Sequence, residues 1–463
     1  MSVAAEPSGA SGTRGGRWID DWRPEDQGFW ESTGKKIANR NLWFSVFSEH
    51  IGFSIWSLFA VLTLFMGDAY HIDTAGKFFL VSMPTLVGSV LRLPYSMAVA
   101  VFGGRNWTII SAALLLIPSI LLAIVMHPGT SYTTFMIVAA IAGVGGGNFA
   151  SSMTNINAFF PEKEKGKALG LNAGGGNLGV AVIQLVGLLV IATAGTGAPR
   201  IVLAVYIPLI VIALVCAVLF MDNLSTVRND SGALAEAAKD AQTWIISFLY
   251  IGTFGSFIGY SFAFGLVLQN QFGRTPLQAA AITFIGPLLG SLVRPLGGML
   301  SDRIGGTKVS FWNFVAMAVS ALICIGASSI KSLPLFVIGF VLLFITSGIG
   351  NGSVYKMIPA IFRTKALAAS ESRGRDETAA LLWARRVSGA VIGIAGAIGA
   401  FGGLLINLAF RQSFQVAKSG TPAFWSFVAF YAVCFIVTYL VYMRNSKAAT
   451  DPKTGSTVSY ASV

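Results

Sequence analysis

"SVLRLPYSMAVAVFGG" occupies residues 89–104 and "SLVRPLGGMLSDRIGG" occupies residues 291–306. Each stretch sets one arginine, Arg92 or Arg294, inside an apolar run, eleven residues before the first glycine of a Gly-Gly pair, Gly103-Gly104 or Gly305-Gly306. At 1.5 Å of helical rise per residue, both arginines stand roughly 16 Å from the end of their helix, which is half the hydrocarbon thickness of a bilayer. The same charge at the same depth, twice in one chain, points to an internal repeat and to a reason for keeping a cation there.

The surroundings of those arginines are set by composition. Apolar residues make up 54% of the 463-residue chain and charged residues only 11%, and the mean hydropathy is +0.70. The apolar residues are gathered in blocks long enough to span a membrane, which takes about 20 residues per helix. Twelve such blocks are expected: 42–66, 77–101, 106–127, 132–159, 168–194 and 200–221, then 243–268, 276–300, 309–328, 333–358, 387–409 and 423–443. The fourth, fifth and tenth are glycine-rich, so kinks are expected there. The fold class is therefore an all-α integral membrane protein.

Residues 1–41 form a polar N-terminal segment without a cleavable leader pattern. Within it, "RPEDQGFWESTGKKIANRNLW" (23–43) has an amphipathic character that suits a membrane surface. Cys216, Cys324 and Cys434 each stand alone in a different block, as small core residues without a disulfide or metal role.

A net charge of +12 raises the question of nucleic acid, but the basic residues are distributed as a topology signal. With the N-terminus placed inside, roughly 23 of the 32 Lys and Arg fall on the cytoplasmic side, about six outside, and Arg92, Arg294 and Lys356 within helices. Both termini are then cytoplasmic. The chain divides into the N-terminal segment 1–41, a six-helix half 42–221, a cytoplasmic linker 222–242, a second six-helix half 243–443 and a tail 444–463.

The two halves repeat one another beyond the arginines, since "GVGGGNFASSM" (143–153) resembles "GIGNGSVYKMI" (348–358). Parallel repeats place a substrate site between the halves near the midplane, reached alternately from either side as the halves rock. Gly174, Gly175, Gly176 and Gly179 in block five, and Gly393, Gly396 and Gly399 in block eleven, suit such motion by letting helix backbones approach and slide, although the same glycines also suit ordinary tight packing. "GGMLSDRIGGTK" (297–308) matches the loop signature G-x-L-x-D-R-x-G-x-x-K of the major facilitator superfamily. In it Asp302, beside Arg303, is expected to cap a helix or pair with basic residues, holding the cytoplasmic side shut in one state.

An arginine at the midplane costs at least about 2.5–3.5 kcal/mol, so it needs a partner or an aqueous cavity. Glu49 is the single carboxylate well inside the blocks. Two symmetric arginines without matching carboxylates favour an anion as the missing partner, the alternative being structural arginines bonded to helix carbonyls. Two planar guanidinium forks suit a small planar oxyanion. Near their level lie Phe149, Asn177, Tyr250 and Phe254, whose rings and amide can exclude water and select a flat ion.

"RNLW" (40–43), "LRLPYS" (91–96), "GGNFASSM" (146–153), "GLNAGGGNLGV" (170–180) and "GTFGSFIGYS" (252–261) resemble the nitrate/nitrite porter family of the major facilitator superfamily over essentially the whole chain. The resemblance implies a bacterial cytoplasmic (inner) membrane carrier of nitrate and nitrite, with Arg92 and Arg294 as anion ligands, Asn177 and Tyr250 as hydrogen-bonding neighbours and Phe149 and Phe254 as walls. Where exchangers of that family tend to have neutral residues, this chain has Glu49, His50 and Lys356. These resemble the proton-coupled branch, so proton-coupled nitrate uptake is expected ahead of nitrate/nitrite exchange. Glu49 neutralising Lys356 structurally, and His50 facing a neighbouring helix, are the alternatives. A monomer working with nitrate, nitrite and protons in the bilayer is expected, with no nucleic acid, cofactor, metal or catalytic residue. An organic-acid or drug carrier and a sensor built on a transporter scaffold are the competing classes. An enzyme reading of "GVGGGNFASS" as a dinucleotide loop fails because no strand precedes it.

Overall fold

The computed structural model describes residues 17–373, 376–444, 449–450, 457–458 and 463. Residues 1–16 and most of the expected tail 444–463 lie outside the described residues.

Helices dominate, as the blocks require. Among the described residues, eleven helices are long and apolar enough to cross a membrane: α2 (Thr74–Phe102), α3 (Gly104–Val125), α4 (Tyr132–Phe159), α5 (Glu162–Ala194), α6 (Arg200–Phe220), α7 (Ala241–Phe272), α8 (Pro276–Ile304), α9 (Gly306–Ser329), α10 (Leu333–Arg373), α11 (Glu377–Ala417) and α12 (Thr421–Met443). The first expected block falls on α1 (Lys35–Trp56), continued after Ser57 by a short helix, Leu58–Leu62. α1 is less apolar because the face it turns to the bundle is polar: Asn41, Ser45, Ser48 and Glu49 are all buried.

α7 lies almost wholly inside the bundle, whereas α3, α6 and α12 show much of their apolar surface outward, as helices facing lipid would. α2 runs along α11 and α5 against α8, so helices distant in sequence meet around a central axis. At one end this meeting is closed. Phe78 of α2 stacks on Phe410 and Phe414 of α11, with centroids 5.6 and 5.2 Å away, and Thr74 donates to Asn270 of α7 at 2.6 Å. The other end carries residues 222–242 and is here called the linker end.

At the linker end the N-terminal segment packs onto the bundle. Trp22 and Trp30 are buried, packed edge-on against Phe159 and Phe160 at 5.3 and 5.6 Å, and Trp30 donates to Glu164 at 3.0 Å. Residues Trp18–Ile19 pair in parallel with Asn223–Leu224. The apolar side chains of this segment are thus covered by the α4–α5 corner of the protein itself.

Candidate functional site

The two arginine helices are positioned by the same device. Gly88 of α2 meets Gly146 of α4 so closely that a Cβ on Gly146 would lie 2.8 Å from the Gly88 Cα. In the second half, a Cβ on Gly348 of α10 would lie 2.2 Å from the carbonyl oxygen of Gly290 on α8. Each crossing falls one helical turn before its arginine. Beyond the arginines both helices stop on a glycine that only a residue without a side chain adopts easily, Gly103 at φ +87° and Gly305 at φ +90°. The repeat seen in the sequence is therefore a repeat of packing, and it fixes the depth of both charges.

Arg92 is fully buried and Arg294 is 6% exposed. Arg92 donates from Nη1 to the carbonyl of Gly396 on α11 at 3.0 Å, and Arg294 donates from Nη2 to the Tyr250 hydroxyl at 3.2 Å. The carbonyl-bonded alternative accounts for one nitrogen only. Nε and Nη2 of Arg92 and Nη1 of Arg294 have no partner, and a buried donor left so costs about 1–3 kcal/mol, more when charged. Aromatic faces surround these groups. The Arg92 guanidinium lies 4.6 Å from the Phe149 ring, 4.9 Å from Phe254 and 5.4 Å from Trp56. That of Arg294 lies 5.8 Å from Phe149, 5.9 Å from Phe254 and 5.7 Å from Tyr355. A cavity of about 230 Å³ reaches from Arg92, Phe149, Tyr355 and Gly396 toward the linker end.

Tyr250 and Phe254 stack at 5.3 Å although α7 changes pitch between them, through a π-turn at Ile251–Gly255. Such turns cluster at functional sites because they re-aim side chains. Gly399 makes room for Tyr250, since a Cβ there would lie 2.4 Å from the tyrosine ring. Asn177 is buried with both amide atoms unpartnered, and no hydrogen bond joins it to either arginine.

The ionisable residues separate. Glu49 is buried and accepts hydrogen bonds from Ser152 and, at 2.6 Å, from Asn172. Its second oxygen has no partner, and its charge interacts with those of both arginines. His50 turns the other way, its Nδ1 meeting the Gly175 carbonyl on α5 at 3.0 Å. Lys356 corrects the expectation of an intramembrane lysine beside Glu49. It is exposed and pairs with Asp302 at 2.8 Å. That pair joins α8 to α10, both in the second half, so in this conformation it does not close the linker end across the halves. Arg303 is exposed.

The block-five and block-eleven glycines also differ. A Cβ on Gly176 would strike Glu49 at 2.1 Å and one on Gly179 the His50 carbonyl at 2.1 Å, while Gly175 meets Val46 at 2.4 Å. Gly396 has Arg92 at 3.7 Å. Gly174 and Gly393 have nothing within 4 Å, so close helix approach does not explain them.

Sequence reasoning passed over Tyr355, Trp56, Ser152 and Asn172. Tyr355 was next to the residue chosen for its charge. Successive helical residues point about 100° apart, so a tyrosine facing Arg294 turns Lys356 outward. By the same geometry Glu49 and His50 face different neighbours.

The sequence profile described as Major Facilitator Superfamily matches residues 42–375. The chain is 38% identical over 448 residues to a protein named Nitrate/nitrite transporter NarU from Escherichia coli (strain K12), covering 92% of this chain and 96% of that one. It is 31% identical over 466 residues to the Probable nitrate/nitrite antiporter NarK2 of Thermus thermophilus, covering 94% and 98%. Among solved structures, a D-xylose-proton symporter superposes with a TM-score of 0.60 at 15% identity, over 89% of this chain and 97% of that one, a likeness of fold.

Proposed function

The chain belongs to the Major Facilitator Superfamily and is a carrier, not an enzyme, and from that premise we propose that it transports nitrate and nitrite across the bacterial cytoplasmic membrane by alternating access. The observation that carries this reading is the pair of buried guanidiniums with three unpartnered nitrogens between them. Planar donor forks offer parallel N–H groups to two oxygens of one ion, and the rings of Phe149 and Phe254 beside them favour a flat one. The relatives named for nitrate and nitrite lend the substrate. The halves 42–221 and 243–443 rock about this site, with both termini and the linker in the cytoplasm by the positive-inside rule. The cavity leading to the linker end then corresponds to an inward-facing arrangement.

Charge counting favours coupling to a proton. Two arginines and an ionised Glu49 leave the empty site with one net positive charge. A nitrate that arrives with a proton on Glu49 leaves the same net charge, so both states that must reorient meet a similar electrostatic cost. Exchange is the second reading, favoured by the position of Lys356, which removes the other titratable partner from the site. Purified protein in liposomes tests both: nitrate entering empty vesicles under an inward proton gradient supports symport, and entry only against trapped nitrite or nitrate supports exchange. No movement of nitrate under either condition overturns the reading.

A further inference from the structure

The linker was expected to be a connector, yet its helix Ser231–Lys239 lies across the way out of the cavity. Arg228, Asp230, Leu234 and Arg386 line the outer end of the same cavity whose inner end holds Arg92 and Phe149. The linker helix turns two small buried residues, Ala233 and Ala237, toward the bundle and packs on α11. Ion pairs at its two ends hold it. Arg386 of α11 reaches Asp230 at 2.8 Å and Glu236 at 2.6 Å, and Lys365 of α10 reaches Asp240 at 2.6 Å. Trp383 adds a hydrogen bond to Glu236 at 2.8 Å.

We propose that this linker helix is a lid on the anion route, latched by Arg386, and that Arg386 is the next contact for a small monovalent oxyanion after Arg92. The proposal rests on the anion-carrier reading above. Three features carry it. The linker helix is pinned to α10 and α11 of the second half, yet it lines the cavity's outer end opposite Met97 and Phe149 of the first half, so it covers the route from one side. The Arg386 pairs are half-exposed, with side-chain exposures of 42% against 46% and 45%; such pairs are weak and exchange readily, as a latch must. Finally, Arg386 is a planar fork that already holds two carboxylate groups, and an oxyanion presents the same oxygens. An anion moving outward from Arg92 competes with Asp230 and Glu236 for it, so the cargo itself loosens the lid.

The test separates lid from cargo. Ala390 lines the cavity on α11, and Ala390→Cys in a Cys216→Ser background gives a thiol whose labelling by a bulky polar maleimide in purified protein reports access. Asp230→Asn with Glu236→Gln removes the charges while an asparagine keeps the helix N-cap and a glutamine keeps the Trp383 bond. Labelling should rise roughly threefold or more, as two weak pairs allow. Arg386→Gln should do the same, and Arg386→Lys, which keeps the charge opposite both carboxylates, should stay near the parent rate. Unchanged labelling in the first two variants, or Arg386→Lys labelling as fast as Arg386→Gln, overturns the lid. In liposomes the Asp230→Asn, Glu236→Gln protein should move nitrate at least as fast as the parent with an apparent KM at or below the parent's, because the competing carboxylates are gone, whereas Arg386→Gln should raise KM. An unchanged KM in Arg386→Gln overturns its role as an anion contact. Parent protein that moves no nitrate defeats the carrier reading instead and leaves the labelling results to decide the lid.

Discussion

Phe149 and Phe254 face each other with ring centroids 6.0 Å apart and planes 28° from parallel, and both guanidinium groups lie within 5.9 Å of both rings. The rings come from α4 and α7, one in each half of the sequence, so the wall beside the arginines is itself assembled across the repeat. Their faces are already engaged by cations, an arrangement that stabilises buried guanidinium without neutralising it. What is left for a ligand is the negative charge and the acceptor oxygens.

Selectivity follows from that arrangement. A flat monovalent ion reaches two donor forks with one delocalised charge in the plane they share, whereas a tetrahedral divalent ion sets oxygens out of that plane and carries a second charge into a site built on two arginines. Nitrite should compete with nitrate uptake into liposomes, and sulfate or phosphate at millimolar concentration should not. Competition by sulfate equal to that of nitrite would remove the flat-ion argument.

Arg92→Lys and Arg294→Lys keep the charge and lose the fork. Each leaves at least one two-point contact unmade, a loss of about 1–3 kcal/mol or roughly 5- to 150-fold in nitrate affinity. Nitrate-dependent thermal stabilisation of the purified variants measures it without requiring transport. A lysine variant that binds nitrate as the parent does would place that arginine outside the site.

The glycines of α11 give a paired prediction. Gly399→Ala puts a methyl 2.4 Å from the Tyr250 ring, which must displace the tyrosine that Arg294 bonds, at a cost of about 1–3 kcal/mol for overpacking. Gly393→Ala meets nothing within 4 Å. Transport should fall at least about fivefold in the first and stay near the parent level in the second. Equal loss in both would show that helix flexibility, not room for Tyr250, is what these glycines supply.

The depth of the arginines, the repeat and the helical class were legible because each is a one-dimensional pattern: block length, spacing to Gly-Gly, and matched motifs. The glycine crossings that enforce the depth pair Gly146 and Gly348, inside the matched motifs, with Gly88 and Gly290, one residue before the arginine stretches, and the sequence shows these as composition and not as contacts. Direction around a helix was harder to read. Lys356 and His50 were chosen by chemistry, yet Tyr355 and Glu49, one position away on each helix, are the residues turned toward the arginines and toward Ser152 and Asn172. The linker helix is hidden from the sequence because nine residues are far short of a membrane block and its contacts depend on Arg386, which lies about 150 residues farther along the chain.

Lys356 and Asp302 are therefore expected to matter for gating and not for coupling. Their side chains are 47% and 56% exposed, and a pair so exposed contributes at most about 1 kcal/mol. Lys356→Gln should leave the response of nitrate uptake to a proton gradient within about twofold of the parent. Complete loss of that response in Lys356→Gln would return the lysine to the coupling machinery.

Glu49 carries the coupling prediction alone. Among the described residues its carboxylate is the buried acidic group whose field reaches both arginines, and Ser152 and Asn172 donate to one of its oxygens. When nitrate enters it supplies a second negative charge beside the same arginines, so a charged Glu49 loses part of its attraction to them. Proton uptake follows from that loss and not from any direct contact between Glu49 and the anion. Glu49→Gln mimics the protonated state permanently: the amide keeps a hydrogen-bond acceptor for Ser152 or Asn172 and cannot return a negative charge to the empty site. The empty carrier then reorients with two unbalanced arginines, which is slow, while the loaded carrier is unaffected. Nitrate/nitrite exchange between nitrite-loaded vesicles and external nitrate should persist in Glu49→Gln, and accumulation of nitrate into empty vesicles under an inward proton gradient should fall by roughly tenfold or more, the effect of about 1.4 kcal/mol on the slow step. Equal loss of exchange and net uptake would make Glu49 a structural residue, and parent protein that moves nitrate only against a trapped anion would make the carrier an exchanger.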